Sequence, residues 1–174
     1  SSSMTVPGDH LDQVFCMPLL TEYTSFADAQ SHCSKDRLWE LFDGSRESIN
    51  IAHECVDRHP RYRMAVRIAL VGGGSESITF GELSNWSGRY ANYLRAQGIG
   101  PGERVALMLE PSLPFYVALY GAMKAGCIAV PLFTLFGPDG LRLRVGDCQP
   151  KLLLLAPEIS NLAADAVCAT AIAD

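Results

Sequence analysis

Residues 104–131 read RVALMLEPSLPFYVALYGAMKAGCIAVP, and this stretch decides the fold. Arg104–Leu109 is a short apolar run rich in strand formers, and Glu110-Pro111-Ser112 breaks it. A helical segment follows to Lys124 and stops at Gly126, and Cys127–Leu132 is again strand-like. Two strands joined by a helix of this length are parallel, with a right-handed crossover. The helix carries Leu113, Tyr116, Val117 and Tyr120 on one side and Phe115, Leu119, Ala122 and Met123 on the other. Apolar surface on two sides predicts a helix buried all round.

Working outward, Ile78 leads into Thr79-Phe80-Gly81-Glu82, a capping-box pattern. The Thr hydroxyl takes an amide of the first turn and the Glu reaches back to the amide of the capping residue. The helix it starts carries Leu83, Trp86, Tyr90 and Leu94 at helical spacing, with Gly98 as a left-handed stop. Gly100-Pro101-Gly102 turns the chain into the strand at Arg104. Upstream, Met64–Val71 and Ser77–Phe80 read as two strands around Gly72-Gly73-Gly74-Ser75. A phosphate-cradling glycine loop needs a helix N-terminus directly after it. More strand follows here, so the glycines make a hairpin turn. Downstream, Phe133–Gly137 is an aromatic loop and Pro138 opens a helix to about Asp147. Lys151–Ala156 is an apolar strand of the kind buried on both faces, and Ile159–Val167 reads as a small-residue helix. The expected fold is α/β: a βαβαβ unit with a three-stranded parallel sheet, flanking helices and an N-terminal β-hairpin. Residues 1–37 form an irregular segment with short helical pieces near Leu11–Phe15 and Phe26–Lys35. Residues 38–174 form the folded subdomain, opening on an apolar knot of Leu38, Trp39, Leu41 and Phe42.

Composition narrows the partners. A 48% hydrophobic share with only 19% charged residues suits one domain with much buried surface. The net charge of −5 and the lack of a basic run exclude nucleic acid and anionic membrane as natural partners. No apolar stretch approaches the roughly 20 residues of a membrane span. No Lys or Arg precedes Lys35, so the charged start of a signal peptide is missing. The six cysteines, Cys16, Cys33, Cys55, Cys127, Cys148 and Cys168, include no Cys-x-x-Cys pair. They read as reduced and structural, in a cytoplasmic protein.

One group invites a metal reading: His53, Cys55, Asp57 and His59, on a helix capped by Asn50 and stopped by Pro60. On a helix His53 and Asp57 share a face while Cys55 and His59 lie nearly opposite. The expectation is therefore no metal site, only polar residues on a surface helix.

These residues carry a family resemblance. Ile78-Thr79-Phe80-Gly81-Glu82-Leu83 resembles the (I/L)TYxEL motif of adenylate-forming enzymes, the AMP-binding synthetase superfamily. Met123-Lys124-Ala125-Gly126 through Pro131 resembles that family's xKAGAxxxPL motif. Asn50-Ile51-Ala52 with Val56-Asp57-Arg58 is similar to the NxAxxxxDRH helix of acetyl- and medium-chain acyl-CoA synthetases. Phe136-Gly137-Pro138 with Arg144 and Asp147 is similar to their FxPxxxxxRLxDS segment. The likeness runs from about Leu38 to Ala156.

The resemblance implies an enzyme that activates a carboxylic acid with ATP and Mg2+ to an acyl-adenylate, then passes the acyl group to coenzyme A. Charge on the phosphates has to be offset by the metal, a cationic side chain and amide donors. The family's phosphate loop ends in Gly-Lys, and none of Lys35, Lys124 and Lys151 follows such a loop. The metal-binding glutamate motif, the adenine and ribose contacts and the C-terminal domain with its catalytic lysine are not found either. The chain is thus expected to be the N-terminal part of such a synthetase, inactive alone and binding none of these cofactors tightly. No catalytic residue and no metal ligand is assigned. The resemblance places coenzyme A near the loop Thr134, Leu135, Phe136 and Gly137; Arg144 either meets a phosphate there or pairs with Asp139 or Asp147. Acetyl-CoA synthetases have Phe-Gly-Gly-Phe-Ser there, and Thr134 and Leu135 replace the two glycines. The partners implied are a small carboxylic acid, coenzyme A and the remainder of the polypeptide, and exposed apolar surface leaves room for a homodimer. Two other readings compete: a free-standing flavodoxin-like nucleotide-binding domain, and an assembly domain.

Overall fold

The structure, a computed structural model, describes residues 17–165 and 168–173. The helical piece expected near Leu11–Phe15, Cys16, and Ala166 and Val167 of the last expected helix lie outside the described residues. The chain divides into two compact units, one ending at Ser45 and one starting at Arg46.

The first unit holds two short helices, α1 (Phe26–Ser31) and α2 (Lys35–Trp39). The Ser34 hydroxyl accepts from the Arg37 amide at 3.2 Å and fixes the start of α2. The expected apolar knot is an open one. The rings of Trp39 and Phe42 touch at 5.6 Å, but Leu38 and Phe42 are exposed.

The second unit begins with residues 51–57, where α-helical turns pass into a π-helical segment, His53–Asp57. Asn50 caps it, its side-chain oxygen 2.9 Å from the Ala52 amide. The Arg58 amide reaches back five residues to the His53 carbonyl at 3.1 Å. The hairpin follows: β1 (Met64–Ala69) pairs antiparallel with β2 (Ser75–Thr79). Gly73 and Gly74 have φ of 91° and 85° and make the turn between them.

Thr79 and Glu82 form the complete capping box of α3 (Phe80–Ala96). The helix ends in a Schellman motif: Gly98 has φ 73°, and the Ile99 amide bonds the Leu94 carbonyl at 2.9 Å. Next come β3 (Arg104–Met108), α4 (Leu113–Lys124), β4 (Ile128–Pro131), α5 (Pro138–Cys148), β5 (Leu152–Leu155) and β6 (Ala169–Ile172). α4 ends as α3 does, with Gly126 at φ 78° and the Cys127 amide 2.9 Å from the Ala122 carbonyl.

The sheet is parallel, in the order β4-β3-β5-β6. Alternating side chains feed a core on each face. Val105, Leu107, Leu152 and Leu154 meet Ala91 and Leu94 of α3 and Ala118 and Ala122 of α4. Ala106, Met108, Leu153 and Leu155 meet Leu141 and Val145 of α5. All four residues of β5 are buried, as its unbroken leucine run requires.

Three expectations need correction. The parallel sheet has four strands, not three. Residues 157–165 form a kinked 3-10 segment, and Ala169–Ile172 add the edge strand β6. Alanines dominate that stretch and mimic a helix, whereas the pairing of Leu152–Leu155 with β6 makes the strand. α4 is not buried all round: only Ala118, Gly121 and Ala122 are fully buried. Its two apolar sides do pack, Leu113, Tyr116 and Val117 against Val56 and Leu83, and Phe115 and Leu119 against the sheet, but each keeps part of its surface open. Finally, Trp86 belongs to the apolar stripe of α3 by spacing yet is 45% exposed.

α3 and α4 cross very closely. A Cβ on Gly121 would lie 2.8 Å from the Ser87 carbonyl oxygen and from a ring carbon of Tyr90. The buried Ser87 hydroxyl turns back to the Leu83 carbonyl at 2.6 Å and leaves the crossing free.

Candidate functional site

The parallel strands carry their connecting loops to one edge, where open α/β sheets take ligands. Two of these loops meet. β3 leads to Glu110 and β4 to Phe133–Gly137. The Thr134 hydroxyl donates to the Glu110 carboxylate and ties the two loops together. Beneath them lies a cleft of about 280 Å3, lined by Leu109, Phe115, Leu132 and Phe133 among others.

Phe136 anchors the other half of the loop. Its ring meets Phe133 edge-on at 5.8 Å. The Arg144 guanidinium lies over the Phe136 ring, the central carbon 3.5 Å from the ring centroid, a cation–π contact. One Arg144 nitrogen donates to the Gly140 carbonyl at 2.9 Å. Arg144 pairs with neither Asp139 nor Asp147, whereas Arg142 takes Asp139 at 2.7 Å. Gly137 is the N-cap of α5 with φ −72°, an ordinary conformation, and its side-chain position is open. The α5 amides and Arg144 therefore give this loop a positive side, and Glu110 gives it a negative one.

Of the five residues expected at the site, Phe136, Gly137 and Arg144 are brought together. Thr134 turns away to Glu110, and Leu135, 92% exposed, faces solvent. Glu110 was not among the expected site residues. The signal for it was an acid at the carboxyl end of a buried strand.

The His53–His59 group lies on a surface segment, with His53, Cys55 and Asp57 exposed and His59 half-buried. Asp57 takes the Lys124 ammonium at 2.6 Å and the Ser84 hydroxyl at 2.7 Å. Glu54 is buried and bonded to Arg58 at 2.5 Å. His59 stacks on Phe80 at 4.6 Å, and Cys55 is exposed. Among the described residues no three His, Cys, Asp or Glu side chains stand together as a metal site. Mg2+ has no fitting donor set in them, and ATP has no fitting phosphate loop: the glycines at 72–74 span an antiparallel hairpin, and Lys124 is spent on Asp57.

The described cysteines are all free. Cys127 is buried, its thiol 3.2 Å from the Gly100 carbonyl, and burial pushes its pKa up, with the Glu103 carboxylate adding to the effect. Cys33 and Cys55 are exposed, so a structural role does not extend to them. Among the described residues no helix is long and apolar enough to cross a membrane.

Residues 54–173 match the family described as AMP-binding enzyme. The chain is 35% identical over 115 residues to an acetyl-coenzyme A synthetase of Bradyrhizobium diazoefficiens, a match covering 63% of this chain and 18% of that enzyme. It is 32% identical over 123 residues to a 3-hydroxybenzoate–CoA ligase of an Aromatoleum species, covering 70% of this chain and 23% of the ligase. The crystal structure of an acyl-CoA synthetase from Brucella canis superposes with a TM-score of 0.77 at 29% identity, over 85% of this chain and 28% of that one. The chain thus spans about a fifth of the length of these curated relatives.

Proposed function

Because the chain belongs to the AMP-binding enzyme family, we propose that it is the N-terminal part of an ATP-dependent, AMP-forming acyl-CoA ligase of the cytoplasm. The observation that carries this is the match over residues 54–173, which spans nearly the whole second compact unit. The relatives' names supply the substrate class: a carboxylic acid joined to coenzyme A. In such an enzyme ATP and Mg2+ supply the driving force and the charge neutralisation for activating the acid. We assign no ATP or Mg2+ contact to the residues described here. Their work is scaffolding: two capped helices and a four-stranded sheet that hold the loop at Phe133–Gly137. We assign Thr134, Leu135, Phe136, Gly137 and Arg144 to the coenzyme A side of the ligase. The Phe136–Arg144 stack supports this, since it offers a π-face and a cation to a nucleotide phosphate.

The test is pyrophosphate release with ATP, Mg2+ and a panel of short, medium-chain and aromatic acids. The 174-residue chain is expected to release none, and a longer ligase that contains it is expected to release pyrophosphate with at least one acid. Release by this chain alone sinks the scaffold reading. No release by the longer protein with any acid sinks the ligase reading.

A further inference from the structure

Two cysteines outside the candidate site lie in one layer of the fold. Cys148 is the last residue of α5. It follows Leu141 by seven positions and Val145 by three, the spacing of one helix face, and both of those side chains are buried against the sheet. Cys168 stands one residue before β6. Thr170 of β6 is the register partner of Leu153, whose side chain meets α5, so alternation turns Cys168 to the same face. Cys168 packs against the cluster that holds Leu141, Val145 and Leu153. The chain brings the two ends together as well. A short turn leads from Cys148 into β5, whose first residue, Leu152, pairs with Ala169, the neighbour of Cys168. Both thiols are half-buried and free. Burial pushes the pKa of each up, and Cys148 lies close enough to Cys168 to add to its shift. No other described cysteine of this unit shares the layer. Cys127 is in the core beneath α3 and α4, and Cys55 is exposed within electrostatic reach of Tyr120 on α4.

We propose that Cys148 and Cys168 form a dithiol site that a small-molecule disulfide of the glutathione class converts to an intramolecular disulfide. The thiolate of one cysteine attacks a sulfur of the oxidised small molecule, forming a mixed disulfide and releasing one reduced thiol. The thiolate of the other cysteine then attacks the protein sulfur of that mixed disulfide, and the second reduced thiol leaves. The two cysteines together give up two electrons and two protons, and the two released thiols carry them away. Excess reduced thiol runs both steps backwards, so in a reducing compartment the link is transient. Both residues stand at the ends of their elements, where the backbone adjusts most easily to the Cβ separation of about 4 Å that a disulfide demands. The bond joins positions 148 and 168 and ties the C-terminus of α5 to β6, the strand at one edge of the sheet. The site does not depend on the ligase reading.

The probe is a series of oxidised and reduced glutathione mixtures, added to the 174-residue chain in buffer and in concentrated urea. Trypsin cuts after Arg144 and Lys151, so Cys148 falls in residues 145–151 and Cys168 in residues 152–174. In a digest without reductant the expected product is these two peptides joined, with the loss of two hydrogen atoms, and dithiothreitol separates them. The pair is expected to close in buffer with an effective concentration about tenfold or more above that in urea, because the fold already holds the two thiols in one layer. The oxidised chain is expected to have the higher urea midpoint, since the link restricts the unfolded chain. Cys148→Ser should lose both the joined peptides and the shift in midpoint, and Cys55→Ser should keep both. Glutathione found only as adducts on Cys33 or Cys55 overturns the proposal. So does a bond from Cys148 or Cys168 to any other cysteine or to a second copy of the chain, or equal closure in buffer and in urea. A lower urea midpoint in the oxidised chain overturns the tie between α5 and β6.

Discussion

The ammonium of Lys124 stands 2.6 Å from the carboxylate of Asp57, a residue 67 positions earlier. It also donates to the Ser84 carbonyl at 3.0 Å and the Ser84 hydroxyl at 3.3 Å, so its three protons have three acceptors. This ties the π-helical segment, α3 and the end of α4 into one unit. The Lys124 side chain is 14% exposed and that of Asp57 31%, so removal of either leaves the other in a poorly solvated place. Lys124→Met is expected to cost about 2–3 kcal/mol and Asp57→Asn about 1–2. In urea titrations the double variant should lose at least ~1 kcal/mol less than the sum of the two. Strictly additive losses would show that the pair is not coupled.

Gly121 sits where α4 crosses α3 closely. An added methyl group meets backbone oxygen and aromatic carbon at 2.8 Å, neither of which is a flexible end. Gly121→Ala is expected to cost about 1–3 kcal/mol through displacement of α3 from α4. Gly88 is the control, because it also sits inside a helix but has nothing within 4 Å of its Cβ position. Gly88→Ala should be neutral or stabilise by up to about 1 kcal/mol. Equal losses from both, measured by thermal unfolding, would locate the effect in helix propensity instead of packing.

Glu82 gives the fold a local pH dependence. The Thr79 amide and hydroxyl, at 2.9 and 2.7 Å, hold its carboxyl below the ordinary value of 4.5. A carboxylate with a depressed pKa in the folded state stabilises fully above its unfolded pKa and loses that contribution as pH falls through the folded one. Wild type and Glu82→Gln should therefore differ in urea midpoint at pH 7, and the gap should close on descent below 4.5. A gap unchanged at pH 3 would rule the capping carboxylate out as its source.

The sequence made the caps and the parallel crossover legible because they are local. Thr79 and Glu82 are three residues apart, and Gly98 and Gly126 each end their helix at the next turn. The partners of Asp57 were not legible because they are distant in sequence: only α3 and α4 bring Ser84 and Lys124 to it. The strand at Ala169–Ile172 was hidden for the same reason, since Ala-Thr-Ala-Ile becomes a strand only beside the leucines of β5. At the candidate site, spacing placed Phe136 and Arg144 on the same segment. Nothing in it announced that Thr134 would be taken by Glu110.

Tyr90 carries a hydroxyl that is buried without a hydrogen-bond partner among the described residues. Burial pushes its phenol pKa well up, and Tyr93 and Cys127 add to the shift. An unpaired buried donor costs about 1–3 kcal/mol, and the ring supplies the packing against the sheet core. Tyr90→Phe is therefore expected to be neutral or to raise stability, while Tyr90→Ala should cost about 3–5 kcal/mol. A clear loss in the Phe variant would mean that the hydroxyl finds a partner in solution.

Arg144 offers a functional test of its proposed place on the coenzyme A side. Its guanidinium is held over the Phe136 ring and by the Gly140 carbonyl, with no carboxylate partner among the described residues. A cation so placed is available to an anionic ligand at the carboxyl edge of the sheet. In a longer ligase of the proposed kind that contains this chain, Arg144→Ala is expected to raise the KM for coenzyme A about tenfold, with ATP–pyrophosphate exchange unchanged. Phe136→Leu should give part of the same effect, since it removes the platform but not the charge. Arg144→Lys should rescue little, because an ammonium does not stack as a planar guanidinium does. A parallel loss of pyrophosphate exchange in Arg144→Ala would move the residue from thiol binding to acid activation. An unchanged KM would leave the stack as a fixture of α5 alone.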